Sequence, residues 1–162
     1  MNPQDLTISE LLQVYGSVMD ELRPRDVVRS SNSPISDLAE VLFGRAFDWI
    51  REGNSVAGHD AKDAAGARYQ IKARRIGMGP GTRQLSAIRN LGNNSFEMLA
   101  GVLFNPDFSV HRAAIVPLDV VKIRATWSKH TNSHIFYLKD DVWMEPGVID
   151  VTPRLRDVAK AL

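Results

Sequence analysis

Cysteine is absent from this 162-residue chain. Without cysteine there is no disulfide framework and no thiolate metal site, which fits a cytoplasmic location. Long apolar runs are absent too, since the longest one covers residues 98–104 and a membrane span needs about 20 residues. The first ten residues, MNPQDLTISE, have neither the basic region nor the apolar region of an export signal. We therefore predict a cytoplasmic protein with no membrane partner.

Acidic residues are unevenly distributed, although the net charge is only +1. None of the 19 Asp and Glu residues falls between residues 66 and 95. Six basic residues do fall there: Arg68, Lys72, Arg74, Arg75, Arg83 and Arg89. A local positive block of this kind is typical of a surface that binds phosphates, and it is equally typical of a solvated face.

The length and the hydrophobic content of 44% allow one domain with a sizeable core. We predict a single domain over residues 1–162, with an N-terminal helical extension over about 1–33 and a core over about 34–162. Thr7 and Glu10 form a capping-box pattern that predicts a first helix. Ser33 or Ser36 is expected to cap a second helix, which would end at Gly53.

A hairpin is predicted next, with strands over 54–63 and 67–75 and a turn near residues 65 and 66. A glycine-rich loop and a short helix capped by Thr82 should follow, and then strands over 96–104 and 109–117. The remaining pattern predicts a helix over 118–127, a strand over 134–143 and a last helix opened by Thr152 and Pro153. This order predicts an α/β fold in which helices flank a central mixed β-sheet.

The second hairpin strand, in the stretch GARYQIKARR, has two different faces if it is extended. Side chains alternate between the faces of a strand. The polar face would carry Arg68, Gln70, Lys72 and Arg74, and the apolar face would carry Tyr69, Ile71 and Ala73. Such a strand is typical of the edge of a core and also of one wall of an active site.

A tight turn would bring Asp60, at the end of the first hairpin strand, beside Gln70. The carboxylate of Asp60, the amide oxygen of Gln70 and the backbone carbonyl of Ile71 are hard oxygen ligands that suit Mg²⁺. Lys72 would then act on the attacking water and on developing phosphate charge. The same residue types also make ordinary ion-pair clusters, so the spacing alone leaves both interpretations open.

Glu40 is a further candidate, because it lies among apolar residues of the second predicted helix. Either it is a helix-surface residue at the margin of the core, or it points inward towards a cation.

These residues resemble a known family. Glu40 in a helix, GHDAKD on one strand and YQIKARR on the next are similar to the PD-(D/E)xK nuclease superfamily, which has the restriction endonuclease-like fold. Glutamine in the second motif resembles the D and QxK variant of Mrr-type enzymes. The match covers about residues 36–127 and includes the family's order of helix, three strands, helix and strand. The whole chain is also similar to an uncharacterised bacterial group within that superfamily.

The resemblance implies a role for each residue: Asp60 would bind the metal, Gln70 would be the variant second ligand, Lys72 the catalytic lysine and Glu40 the helix-borne acid. Glu40 is also a metal-ligand candidate, because glutamine at position 70 lacks the charge of a glutamate. It therefore implies Mg²⁺-dependent hydrolysis of DNA phosphodiester bonds, with Mn²⁺ as a substitute metal. Asp63 is a rival for the position of Asp60. A nuclease-like domain that binds nucleic acid without cutting it, and a structural or protein-interaction domain, remain alternatives.

Nucleic acid is the expected partner, with DNA favoured over RNA. The arginines of the acid-free stretch, Arg68, Arg74, Arg75, Arg83 and Arg89, are the candidate contacts. The glycine-rich loop would allow close backbone approach, and Thr82 would open a helix whose N-terminal amides face a phosphate. A single site cuts one strand, so cleavage of both strands would need a homodimer. Trp127 and Trp143 are expected in the core.

Overall fold

In the part of the chain that the structure describes, two α-helices are followed by five strands, a helix, three strands and a last helix. The computed structural model describes residues 2–53, 58–77 and 82–162. The α-helices in this part are α1 Ile8–Leu22, α2 Ile35–Phe47, α3 Leu118–Arg124 and α4 Thr152–Lys160. The strands are β1 Ile50–Arg51, β2 Ala61–Lys62, β3 Arg68–Arg75, β4 Met98–Phe104, β5 Val110–Pro117, β6 Thr126–Ser128, β7 Ser133–Ile135 and β8 Ile149–Asp150.

Six strands form one mixed sheet in the order β1-β2-β3-β4-β5-β8. The β3–β4 pair is parallel, and the other neighbours in this sheet are antiparallel. Strands β6 and β7 form a separate two-stranded sheet. The fold is therefore α/β with a mixed central sheet flanked by helices, which confirms the predicted class at this level.

The two faces of the sheet bury two different hydrophobic clusters. On the first face, Ile71 and Ala73 of β3 pack with residues of β4, α2 and α4. On the second face, Leu99 and Leu103 of β4 pack with α3 and with residues from two irregular segments, 85–91 and 136–142. Since side chains alternate along a strand, Gln70 and Lys72 of β3 project towards the second face. The two-faced strand predicted from GARYQIKARR is therefore present.

Gly101 lets the second layer lie close to the sheet. It is paired with Lys72 in the β3–β4 ladder. A Cβ atom at Gly101 would lie 3.1 Å from side-chain carbons of both Leu85 and Leu138, which is tighter than ordinary van der Waals contact. Both leucines are completely buried. The segments that carry them can therefore pack directly on β4.

The prediction of a short helix after Thr82 is wrong. Residues 82–90 form isolated β-bridges at Gln84 and Ile88 and no helix, and Leu91–Asn93 form a single turn of 3-10 helix. The hydroxyl of Thr82 accepts a hydrogen bond from the backbone of Gln84 without capping a helix. Backbone hydrogen bonds join this segment to a later one, as Leu85 donates to Phe136 and Ile88 donates to His134. Tertiary pairing has overridden the local helical pattern.

Helix α2 also differs from its predicted bounds. Neither Ser33 nor Ser36 caps it, because the cap residue is Pro34 and no side chain bonds the free amides. The helix ends at Phe47 instead of Gly53, because Asp48 adopts a left-handed conformation with φ 56°. Strand β1 follows within three residues. The rule that glycine ends a helix failed here because an aspartate accepts the same conformation.

The C-terminal half corrects two further expectations. The predicted strand over 134–143 is shorter: β7 ends at Ile135, and Asp140–Met144 form a 3-10 helix. This strand pairs with β6 in the separate two-stranded sheet and does not join the one central sheet that the sequence predicts. Trp127 is 57% exposed and lies outside the core. Trp143 is half-buried beneath the guanidinium of Arg112.

Several expectations hold as stated. The Thr7–Glu10 capping box begins α1, strands β4 and β5 lie where the sequence predicts them, and Thr152 with Pro153 begins α4. The predicted strand over 54–63 and the glycine-rich loop over 76–81 each lie partly outside the described residues. No helix in the described part of the chain combines the length and apolarity that crossing a bilayer requires.

Isoleucine truncation tests the second layer. Ile88→Ala should lower the free energy of unfolding by about 2–5 kcal/mol, because Ile88 is completely buried and its loss leaves a cavity. Ile123→Ala is the matched control, since this side chain is 83% exposed and should change stability by less than about 0.5 kcal/mol. Urea unfolding followed by circular dichroism measures both. Equal losses would contradict the packing of residues 85–91 on the sheet.

Candidate active site

Asp60 is held immediately before β2 by a tight approach of the preceding chain to residue 95. Gly58 has φ +96°, and a Cβ atom there would lie 2.4 Å from the Cβ of Ser95, so only glycine fits. The hydroxyl of Ser95 donates to the carbonyl of Gly58. The backbone N–H of Asp60 then donates to Tyr69 of β3 at 2.8 Å. These contacts fix Asp60 against the start of β3.

The structure brings Asp60 and Gln70 together, as the predicted hairpin requires. One carboxylate oxygen of Asp60, Oδ2, accepts hydrogen bonds from the side-chain amide of Gln70 and, at 2.6 Å, from the backbone N–H of Ile71. Gln70 is only 8% exposed. The carboxylate therefore takes the place that a longer β2 would fill beside β3, and its negative charge is partly satisfied by two N–H donors.

The backbone carbonyl of Ile71 points to the same side of β3 as Asp60. The N–H and C=O groups of one strand residue point in the same direction, and the N–H of Ile71 bonds to Asp60. Strand β2 pairs with β3 only at Tyr69 and Arg68, so this ladder does not reach the Ile71 carbonyl. An amide oxygen, a carbonyl oxygen and a carboxylate are thus available along one short edge.

Lys72 projects from the same face as Gln70 into a largely buried position. Burial lowers the pKa of Lys72 below its ordinary value, and nearby Arg89 lowers it further, whereas Asp60 and Glu40 act in the opposite direction. Within the described residues Lys72 forms no hydrogen bond or ion pair, so these three charged groups act on it through their electric fields. A lysine with a lowered pKa presents more neutral amine at a given pH than a solvated one does.

Glu40 points inward, and the cation it meets is an arginine. Its carboxylate accepts hydrogen bonds from Arg51 at 2.9 and 3.3 Å, and Arg29 lies 4.0 Å away. Burial raises the pKa of Glu40, and the hydrogen bond and charge of Arg51 oppose that rise. Glu40 and Asp60 line one cleft of about 250 Å³, where their like charges also raise the pKa of Glu40.

Asp63, the rival for the metal-binding position, makes its side-chain hydrogen bonds within the β2–β3 turn. One of its oxygens accepts the backbone N–H groups of Ala65 and Ala67, and the other accepts the hydroxyl of Tyr69 at 3.0 Å. Desolvation raises the pKa of Asp63, but these hydrogen bonds together outweigh it and hold the pKa below its ordinary value. Its role is to close the β2–β3 turn.

A second cleft of about 540 Å³ lies on the other side of Gln70. Its lining includes two cations, Lys72 and Arg89, and no acidic residue. The other lining residues are small or carry neutral hydrogen-bonding groups: Gly58, Gln70, Ser86, Ala87, Asn90, Asn93 and Ser95. This combination suits an anion with several oxygens, such as a phosphodiester, better than it suits an apolar ligand.

The donors beside Asp60 fit Mg²⁺ in type but are few. In residues 2–53, 58–77 and 82–162, no group of three or more His, Asp and Glu side chains is placed to hold a metal. Asp60 supplies one carboxylate, since Glu40 is already paired with Arg51. Gln70 and the Ile71 carbonyl would supply neutral oxygens, and water would complete the shell. Magnesium commonly keeps several waters, so this set fits the ion with weak affinity.

The five arginines predicted to contact nucleic acid have different surroundings in the structure. Arg68 is bound by Glu97, and Arg83 is bound by Asp140. Arg75 stacks over Phe108, with the guanidinium carbon 4.7 Å from the ring centre. Arg74 is half-buried on the face of β3 that carries Lys72, and Arg89 lines the second cleft.

The sequence analysis missed several cleft residues, because Ser86, Asn90, Asn93 and Ser95 looked like parts of a helix and a turn. One local signal was available. The stretch NLGNNS is rich in asparagine, and Asn90 and Asn94 both adopt positive φ angles, of 52° and 49°. Asparagine tolerates that conformation and often occurs at irregular backbone near sites. Arg51, the partner of Glu40, carried no signal of its own.

Comparison with known proteins adds no family. No protein-family model matches the chain, and no curated protein sequence matches it. The functional assignment therefore depends on the geometry of the site and on the resemblance of its motifs.

The lowered pKa of Lys72 predicts how the stability of the folded protein depends on pH. Because the folded-state pKa lies below the value of the unfolded chain, the unfolded state binds more protons between the two values, and wild-type stability rises with pH across that window. Lys72→Met removes the buried charge. It should therefore melt at the same temperature as the wild type or higher at pH 7, and this advantage should shrink towards pH 10.

Thermal unfolding between pH 6 and pH 10 measures the effect, and Lys129→Met is a matched control because Lys129 is exposed. The control should show no pH-dependent difference from the wild type. If Lys72→Met melted lower than the wild type by the same amount at every pH, the ammonium group would be a stabilising charge and the account of its burial would be wrong.

Proposed function

We propose that this protein is a metal-dependent nuclease that hydrolyses DNA phosphodiester bonds, on a restriction endonuclease-like fold. The observation that carries the proposal is the meeting of Asp60, Gln70 and Lys72 at the junction of two polar clefts. Three features support it: a carboxylate with neutral oxygen donors, a buried lysine with a lowered pKa, and an acid-free cleft beside both. The D and QxK resemblance to Mrr-type nucleases assigns the same residues.

In the proposed reaction Lys72 acts on the nucleophile. As a neutral amine its Nζ accepts a proton from the attacking water, and as an ammonium group it then stabilises negative charge on the phosphate oxygens. The lowered pKa makes the neutral amine more accessible than it is in a solvated lysine. Mg²⁺, or Mn²⁺ in its place, supplies Lewis-acid polarisation of the phosphate and activation of water when bound.

The remaining residues bind and orient. Asp60, the Gln70 amide oxygen and the Ile71 carbonyl would hold the metal, and Gln70 would turn its amide so that the oxygen faces the ion. Glu40 is the auxiliary acid of the proposal, acting from the neighbouring cleft, where Arg51 pairs with its carboxylate and opposes the rise of its pKa. Arg89, and Arg74 on the face of Lys72, would contact backbone phosphates.

A second candidate is a nuclease-like domain that binds nucleic acid without cutting it. One observation favours it: Asp60 is the single carboxylate beside the metal donors that is not already in an ion pair, within the part of the chain that the structure describes. Glutamine at position 70 removes one further negative charge. Such a protein would keep the cationic cleft and its salt-dependent affinity for DNA.

Plasmid nicking tests the proposal. Supercoiled DNA incubated with the protein should become open-circular in Mg²⁺ or Mn²⁺ and stay intact in EDTA. Asp60→Asn and Lys72→Ala should each lower the rate at least about 100-fold, because each removes a group that acts in the transition state. A single site cuts one strand, so nicked circles should precede linear product unless the protein dimerises.

Two matched control variants test whether the loss of any lysine or aspartate charge, rather than of these two site residues, lowers the cleavage rate. Lys62→Ala removes a lysine of the same hairpin that pairs with Glu52, and Asp107→Asn changes a loop aspartate far from Asp60 in sequence. Both should cut as the wild type does. Absence of cleavage in every metal, with DNA binding that weakens in salt, would overturn the nuclease and favour the second candidate.

The pH profile provides a separate test. If neutral Lys72 is the base, the rate at saturating metal should rise with pH and level off above the pKa of Lys72, which lies below the 10.5 of an ordinary lysine. Lys72→Arg should keep a positive charge and lose this rise. A flat profile in the wild type would contradict the proposed role of Lys72 as the base.

A further inference from the structure

Two stretches of the chain lack acidic residues, and the structure places them side by side. Residues 66–95 contain no Asp or Glu, and neither do residues 120–139. Isolated antiparallel bridges join them at Gln84 with Tyr137 and at Ile88 with His134. The net charge of +1 therefore conceals two neighbouring segments whose basic residues are not interrupted by acids from the same segments.

The second stretch contains the β6–β7 hairpin, Thr126–Ser128 and Ser133–Ile135. Trp127 is paired with His134 across the hairpin, and its ring makes an edge contact with the imidazole at 5.0 Å between centroids. The indole is nonetheless 57% exposed. A tryptophan held at one edge and open to solvent over most of its surface is a platform on which a flat ring can stack.

Registers show how the hairpin lies relative to the second cleft. Ile88 pairs with His134 and His134 pairs with Trp127, so these three residues lie on neighbouring, antiparallel strands. Continuing the same register, the hairpin turn at 129–132 lies towards Arg89 and Asn90, which line the cleft. Adjacent strands are about 4.8 Å apart, so Trp127 lies roughly two strand widths from the cleft wall.

The basic residues of these two segments differ in whether they form ion pairs. Arg83 is paired with Asp140, and Arg124 is paired with Asp141 and Glu145, so these arginines are neutralised from outside the acid-free stretches. Arg89 and Lys129 are both exposed and form no ion pair with any residue that the structure describes. Positive charge that is not paired within the described residues is therefore present both at the cleft, on Arg89, and at the hairpin turn, on Lys129.

We propose that the β6–β7 hairpin binds single-stranded nucleic acid, with Trp127 stacking on an unpaired base and Lys129 contacting the backbone. Bases in a duplex have their faces covered by neighbouring base pairs, so an exposed indole face is useful only for an unstacked base. The further step, that the same strand continues past Arg89 to Lys72, rests on the proposed nuclease function. Binding by the hairpin does not.

Fluorescence anisotropy with a 12-nucleotide oligo-dT in EDTA tests this binding without cleavage. Trp127→Ala should weaken single-strand affinity about 5- to 150-fold, the usual range for one stacked base, and Trp127→Phe should retain most of it. Tyr15→Ala is the matched control, because Tyr15 is an aromatic residue 52% exposed on α1. Lys129→Ala should reduce the slope of log affinity against log salt by about 0.7.

Three results would overturn the inference: no binding of oligo-dT by the wild type, equal losses in Trp127→Ala and Tyr15→Ala, or an equal effect of Trp127→Ala on duplex and single strand. Circular dichroism of each variant establishes that it is folded. Plasmid nicking by Trp127→Ala separates the two proposals. If Trp127→Ala still nicks plasmid in the presence of metal and still binds oligo-dT as the wild type does, the proposal for the hairpin is wrong and the proposed nuclease function stands.

Discussion

The parallel pairing of β3 with β4 over residues 69–75 and 98–104 is the constraint on which the site depends. Parallel neighbours need a long crossover, and here residues 76–97 provide it. The part of the crossover that the structure describes passes over the face of β3 that carries Gln70 and Lys72, where Ser86, Arg89 and Asn90 complete the cleft wall. The ladder thus fixes the direction of the lysine, and the crossover buries it.

Burial determines the chemistry that these side chains can perform. A solvated Lys72 would remain an ordinary ammonium group, whereas the covered one has a lowered pKa and releases its proton more readily. The opposite effect operates on Glu40, where burial raises the pKa and Arg51 limits the rise. Asp60 is bonded to Gln70 of β3 and lines the cleft that contains Glu40, whereas Gln70 lines the cleft that contains Lys72.

Much of this arrangement could be predicted from residues with strong local rules. The alternation of GARYQIKARR has the period of a strand, and the Asp60–Gln70 meeting follows from a short turn. The segment over 82–91 could not be predicted in the same way. Leu85 and Ile88 are three residues apart, which suits a helix, but their backbone partners are Phe136 and His134, about 50 residues further along the chain. Trp127 was misplaced for a similar reason, because hairpin pairing decided its exposure.

The central claim, that Asp60, Gln70 and the Ile71 carbonyl form a metal site, is tested most directly by paramagnetic broadening in a ¹⁵N-labelled sample titrated with Mn²⁺. The account predicts that the amide resonances of residues 60 and 70–72 broaden first, at substoichiometric Mn²⁺, and that Asp60→Asn abolishes this. Residues 65–67, in the turn closed by Asp63, should broaden later. Uniform broadening, or first broadening around Asp63 or the acidic residues of α1, would contradict the assignment of the site.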